Sequence, residues 1–342
     1  MNNKLDSIKV SIVLPVYNAV NYIRTTINSV LSQTYNNFEL IIIDDGATDG
    51  TSEICEEYSK QFSNIIYVKQ KNEGTCAARN RGIKMATGDY ITFLDHDDEY
   101  LQEFLNKMVK YAIMYDLDVV KCGVFFEEAF QNSTGKTRIE KFKKSVFSRE
   151  KLLSMYNDLP ISFFAVWNSL YKTSVIQNII EFPKEVRHGQ EDYFFNTKLI
   201  PQIKNIGFID KCLYKHYRRI SQSTSAKFYE DRVDHMALYF RCECDTLRPL
   251  IEKNWEIYYA KLYARKITGV LSYIFSTLKD CDAADAKKYI VKYLNSAPYE
   301  EKITFRVWLS MIRHKPKYAV VLVLVLKKKY DMLIKLWRIK NV

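Results

Sequence analysis

Over its first 125 or so residues the chain alternates short β-branched apolar runs with segments whose apolar residues recur at helical spacing, and no other feature limits its fold as tightly. Val10-Ser11-Ile12-Val13-Leu14 reads as a buried strand, after which Ile23, Ile27, Val30 and Leu31 mark one face of a helix. Further strands are predicted at Phe38 to Ile43, Ile65 to Val68, Tyr90 to Leu94 and Val119 to Phe126. Helices are predicted between them at Thr51 to Phe62, Thr75 to Ala86 and Leu101 to Tyr115. Such alternation implies an α/β fold with a mostly parallel open sheet covered by helices on both faces. In that architecture ligands bind outside the carboxyl ends of the strands.

That rule gathers three loops into one crevice. Pro15-Val16-Tyr17-Asn18 ends the first strand, Asp44-Asp45-Gly46 the second, and Asp95-His96-Asp97-Asp98 follows the run Tyr90 to Leu94. Carboxylates crowded at a strand end repel one another unless a cation sits among them; a solvated acidic turn is the alternative reading. Oxygen-only ligands favour Mg²⁺ or Mn²⁺ over Zn²⁺, and so few of them leave positions open for water and substrate phosphates. His96 reads as a spacer, because neighbouring side chains of an extended segment point opposite ways. Neither GxxxxGK[ST] nor GxGxxG occurs, so phosphate charge must be met by metal and by basic side chains. Arg79 is the candidate, near the start of a helix whose dipole also favours anions, while Arg81 reads as a solvated helix residue.

The remainder of the chain is read more coarsely. Its 342 residues, 47% of them hydrophobic, exceed the usual single-domain size, and the expected division is 1–222 and 223–342. Residues 127–150 are polar and Lys-rich and read as a surface excursion; Trp167 to Ile176 and Glu191 to Leu199 read as helices, and Ile206 to Tyr217 as one or two strands. From 228 onward the pattern is helical. Seven scattered cysteines without paired CxxC spacing indicate neither a disulfide framework nor a zinc site, and the polar start Met1 to Ser7 reads as no signal peptide, which implies the cytoplasm. Of the net charge of +11, residues 301–342 carry +9, from eleven Lys or Arg and two acids. Ala319 to Leu326 is too short to cross a bilayer, but with Lys327-Lys328-Lys329, Met332, Leu333, Leu336 and Trp337 it suits an anionic membrane surface; a final core helix with a basic face is the alternative. Nucleic acid is not expected as a partner, because the acidic cluster would repel its phosphates.

Read in order, four motifs resemble the family 2 glycosyltransferases of the Rossmann-like GT-A fold: Val10 to Asn18, Ile42 to Thr51, Asn72 to Asn80 and the acidic cluster. The resemblance continues more weakly through Trp167 to Lys172, Gly189 to Phe195 and Tyr214 to Arg219. It implies inverting transfer of a sugar from a nucleotide diphosphate donor, a UDP-sugar by expectation, to a hydroxyl of a glycan or lipid-linked glycan in bacterial surface-polysaccharide synthesis. That places the enzyme peripherally at the inner face of the membrane.

By the same resemblance, Pro15, Tyr17 and Asn18 line the nucleotide pocket, Asp45 accepts a hydrogen bond from the base, and Asp44 supports the turn. Asp95 lies near the ribose, Asp97 binds Mn²⁺ or Mg²⁺, and Asp98 assists the metal through water. The base that takes the acceptor's proton is Asp192, with Glu191 as its rival; helix capping explains both acids without chemistry. His216, Arg218 and Arg219 lie where relatives close over the diphosphate, with Ser221, Ser223, Thr224 and Ser225 ordering that loop. His188, His235 and His314 have no motif context, and Trp167 reads as core. Two alternatives stand beside this one: a sugar nucleotidyltransferase, and a non-catalytic nucleotide-binding scaffold.

Overall fold

Val10–Val16 (β1) is buried at every position and has a strand on each side. In the computed structural model it pairs in parallel with Phe38–Asp44 (β2) and with Tyr90–Phe93 (β4), and β2 pairs in parallel with Ile65–Lys69 (β3). The connecting helices are Ile23–Leu31 (α1), Thr51–Gln61 (α2) and Thr75–Met85 (α3). The structure describes residues 5, 7–130, 133–177, 180–186, 189–218, 227–278 and 281–341. They fall into two compact units, one of residues 1–152, 160–187 and 191–220, the other of 153–159, 188–190 and 221–342. The division expected at 222 lies among 219–226, outside the described residues.

In the first unit Glu99–Tyr100 (β5) and Phe104–Tyr115 (α4) follow the acidic turn, and then Val119–Phe130 (β6). The sheet runs in the order β3-β2-β1-β4-β9-β6-β10-β5, where β9 is Ser169–Lys172 and β10 is Asn205–Arg218. The half formed by β1 to β4 is parallel, as expected. Strand β9 is antiparallel to both β4 and β6 and fills the gap between them. Here the helix predicted over Trp167 to Ile176 is corrected: β9 is followed only by a single helical turn, Thr173–Ile176 (α5). The apolar spacing that imitates a helix comes from Leu170 and Tyr171, buried by pairing with neighbouring strands. Residues 127–150 are also corrected, since β6 continues into a hairpin with Ser133–Glu140 (β7), and Ser145–Ser148 (β8) pairs with β10. Thr137, Arg138 and Ile139 are exposed, so this is an edge ribbon whose polar residues hide its strand character.

Helix α3 sits directly on the sheet because Gly82 has no side chain. A Cβ there would meet the Val13 Cγ1 at 2.3 Å. Gly46, at φ +80°, turns the chain after Asp45. Glu191–Leu199 (α6) forms as read.

The second unit is helical: Asp231–Leu247 (α7), Trp255–Thr277 (α8), Ala283–Ser296 (α9), Phe305–His314 (α10), Pro316–Leu326 (α11) and Tyr330–Asn341 (α12). Helix α8 is its axis, packed on α7, α9, α10 and α11. Asp282 and Thr304 cap α9 and α10 by accepting the amide hydrogens of Asp285 and Val307. In α11 Ala319, Val321, Leu322, Leu324 and Val325 are buried, so the apolar run read as a membrane-surface segment is mainly core. Among the described residues no helix is long and apolar enough to cross a membrane.

Candidate active site

Strand register brings the predicted loops together. Val16 stands opposite Asp44 and Val13 opposite Phe93, so the loops after β1, β2 and β4 leave the sheet side by side. Asn18, in the left-handed region at φ +47°, accepts the Thr48 amide hydrogen at 2.9 Å and ties the first loop to the second. Asp44 accepts from the Ala47 amide, the Ser52 hydroxyl and the Tyr67 hydroxyl at 2.5 to 2.8 Å, the turn-supporting place expected of it. Asp45 is buried; among the described residues its Oδ1 accepts from Gln70 Nε2 and the Glu73 amide, and its Oδ2 from the Gly74 amide. Pro15 is buried in the sheet while the Tyr17 ring is 44% exposed beside Asn18.

The acidic turn is held from two sides. Thr26 of α1 donates to the His96 and Asp98 carbonyl oxygens at 3.0 and 2.9 Å. From β10, the Tyr214 hydroxyl and His216 Nδ1 bond Asp98 Oδ2 at 2.8 and 2.9 Å, and the Tyr217 amide donates to Oδ1 at 2.8 Å. Asp98 is fully buried. Its carboxylate, expected to assist a metal, is bonded by three groups of β10. Asp95 and Asp97 keep partly exposed positions.

Arg79, expected to meet phosphate charge, is 3% exposed and pairs with carboxylates, donating from Nη2 to Asp95 at 2.8 Å and from Nη1 to Asp192 at 2.8 Å and Glu191 at 3.5 Å. One guanidinium therefore joins the end of β4 to the first turn of α6. Burial works against its charge, but Asp192, Asp95 and Glu191 outweigh that and hold its pKa above the ordinary value. Asp192 moves the other way. Burial is the chief cause of a rise to about 7, reinforced by the Glu191 and Asp95 charges and opposed by Arg79 and the Val166 amide. Such a carboxyl is ionised near neutrality yet basic enough to accept a proton.

His216 lies parallel to the Trp167 ring, centroids 5.3 Å apart, and Trp167 stacks on Tyr214 at 4.6 Å. Burial lowers the imidazole pKa, but the charge and hydrogen bond of Asp98 prevail and raise it to about 9. The ring lies against the acidic turn through Asp98. Arg218 is exposed two residues further along β10. Arg219, Ser221, Ser223, Thr224, Ser225 and His188 lie outside the described residues.

Lys121 was not found from the sequence. It is buried in β6, its Nζ donating to the Ala165 carbonyl at 3.0 Å and bonding Ser169 Oγ at 2.6 Å, with burial lowering its pKa to about 7. The segment it holds contributes the Val166 amide that bonds Asp192 at 3.2 Å. A lysine inside the otherwise apolar run Val119 to Val124 is the signal that could have revealed it.

Paired acids thus follow β4, at the carboxyl end of the parallel strands where ligands bind in such sheets, and Arg79 joins them to the raised carboxyl at the start of α6. The sequence model of glycosyl transferase family 2 matches residues 11–180. EpsH of Bacillus subtilis, which carries a provisional glycosyltransferase name, is 32% identical over 237 residues, 67% of each chain. The chain belongs to glycosyl transferase family 2. Glycosyltransferase GlyA of Streptococcus pneumoniae is 28% identical over 277 residues, which are 79% of this chain but only 39% of that longer protein. Among solved structures, residues 1–349 of TarS from S. aureus in complex with UDP-GlcNAc share the fold at a TM-score of 0.67 and 20% identity, over 96% of this chain and 91% of that one.

Proposed function

We propose that this chain is an inverting glycosyltransferase that moves a sugar from a UDP-sugar to a hydroxyl of a glycan or lipid-linked glycan in bacterial surface-polysaccharide synthesis. The observation that carries this reading is the Arg79 bridge, which fixes Asp192 against Asp95 at the mouth of the sheet. Asp192 takes the proton from the acceptor hydroxyl as its oxygen bonds the anomeric carbon from the face opposite the departing phosphate oxygen. That displacement breaks the bond to the nucleotide diphosphate and inverts the carbon. Glu191, also on Arg79, keeps negative charge beside the base and supports its proton affinity.

Asp45 Oδ2, with one donor among the described residues, retains a lone pair for an N–H of a pyrimidine base, and the exposed Tyr17 offers a ring face for stacking. His216 and Arg218 supply positive charge toward the diphosphate, the part first assigned to Arg79. The bound UDP-GlcNAc of TarS supports the choice of donor class.

The donor set at the acidic turn fits Mg²⁺ or Mn²⁺. Among the described residues no three His, Cys, Asp or Glu side chains are placed to enclose an ion, so Asp97, with Asp95 next to it, would share the cation with the donor's phosphates and water. Bound there, the ion would neutralise charge on the leaving nucleotide diphosphate. Calorimetric titration with UDP- and GDP-sugars, with and without Mn²⁺, tests the assignment. UDP-sugar binding that strengthens about tenfold or more with metal, and loses that gain in Asp97→Ala, is expected; equal metal dependence in the variant would remove Asp97 from the role. An acceptor on a lipid carrier places the chain at the cytoplasmic membrane surface, and this part of the reading rests on the basic C-terminal segment.

A further inference from the structure

The exposed large apolar residues of the helical unit are concentrated between Phe305 and Ile339, and the most exposed of them lies on α10. Phe305 is 82% exposed, Leu309 56% and Ile312 59%. At i, i+4 and i+7 they share one stripe of the helix, with half-buried Trp308 at its edge. Val307 and Met311, on another side, are completely buried in the unit. Helix α10 thus has two apolar faces, and its fold uses one.

Charge decides what can cover the other. From Phe305 to Lys317 there are four Lys or Arg and no acid. Arg306 and Arg313, seven residues apart, flank the apolar stripe on one side, and both are exposed along with His314 and Lys317. A second copy of this chain would bring an equally basic face against it. An anionic lipid surface instead takes the apolar stripe into the acyl boundary while the arginines reach the phosphates. The stripe stands in contrast to α11, whose apolar residues are mainly consumed in packing.

We infer that α10 is the membrane-docking element of this chain, lying in the plane of an anionic bilayer through Phe305, Leu309 and Ile312. The inference rests on the membrane-surface part of the proposed function, and it moves the contact from the segment that begins at Ala319 to residues 305–314. The test is flotation of the full chain with vesicles of phosphatidylcholine, alone or mixed with phosphatidylglycerol. Wild-type protein is expected to float with the anionic vesicles, and Phe305→Ser/Leu309→Ser/Ile312→Ser to bind them about tenfold or more weakly. Arg306→Gln/Arg313→Gln is expected to lose anionic preference, and Val320→Ser/Met332→Ser/Ile339→Ser to bind like wild type. Brominated lipid is expected to quench Trp308, seen as quenching that Trp308→Phe removes.

Unchanged binding of the α10 triple variant, or loss confined to the tail variant, would overturn the inference. So would an oligomer that the triple variant dissociates, because the stripe would then meet another copy. Nucleotide diphosphate release with a soluble acceptor is measured on the same proteins. The triple variant is expected to retain it, so failure of docking and failure of the sugar-transfer reading give separate results.

Discussion

Arg79 carries one positive charge and faces three carboxylates at 2.8, 2.8 and 3.5 Å. Removing one partner of a buried pair leaves charge without compensation, so Arg79→Met should cost about 3–5 kcal/mol, read from urea denaturation. Loss of the cation also raises the Asp192 pKa further, and any residual activity should shift its rising limb to higher pH. The sign follows from the base role: Asp192 must be ionised to accept a proton, so in wild type kcat/KM rises with pH through about 7. A profile flat from pH 5 to 8, a span of about three units around that value, would remove Asp192 from the rate-limiting proton transfer. Asp192, Glu191 and Asp95 were legible one by one, each at the end of a recognisable element. Their junction was not, since Arg79 and Asp192 stand 113 residues apart and helix spacing alone makes Arg79 look free for phosphate. The partners of Asp98 were hidden for the same reason, since they lie 116 to 119 residues further on, in β10.

At the scale of elements, the parallel half of the sheet was legible because its strands are apolar at successive positions, while β9 was not. Four residues are too few to show a period, and pairing with β4 and β6 decides their conformation. The 127–150 ribbon was hidden by its polar, exposed edge position. Helix α3 offers a direct test of how tightly the site's scaffold is packed. In an isolated helix Gly82→Ala would gain about 1 kcal/mol of propensity. Here the added Cβ meets Val13 at 2.3 Å, and overpacking of this kind costs about 1–3 kcal/mol. A net loss of stability is therefore expected in thermal denaturation, with substantial recovery in Gly82→Ala/Val13→Ala; a gain in the single variant would show that α3 can move off the sheet.

For the whole molecule, composition indicated a helical unit and a basic end without saying which helices are core. Packing resolves that: α11 spends its apolar residues inside the unit and α10 leaves a stripe outside. The catalytic unit, by contrast, announces itself through ordered motifs at strand ends, and it is there that the account stands or falls. The direct measurement is nucleotide diphosphate release from a UDP-sugar in the presence of a glycan acceptor, comparing wild type with Asp192→Asn, with donor binding measured on the same samples. The account predicts a fall in kcat of about 10²–10⁴ with donor affinity retained. Release by Asp192→Asn at the wild-type rate, or failure of the wild-type chain to bind any nucleotide sugar, would contradict it.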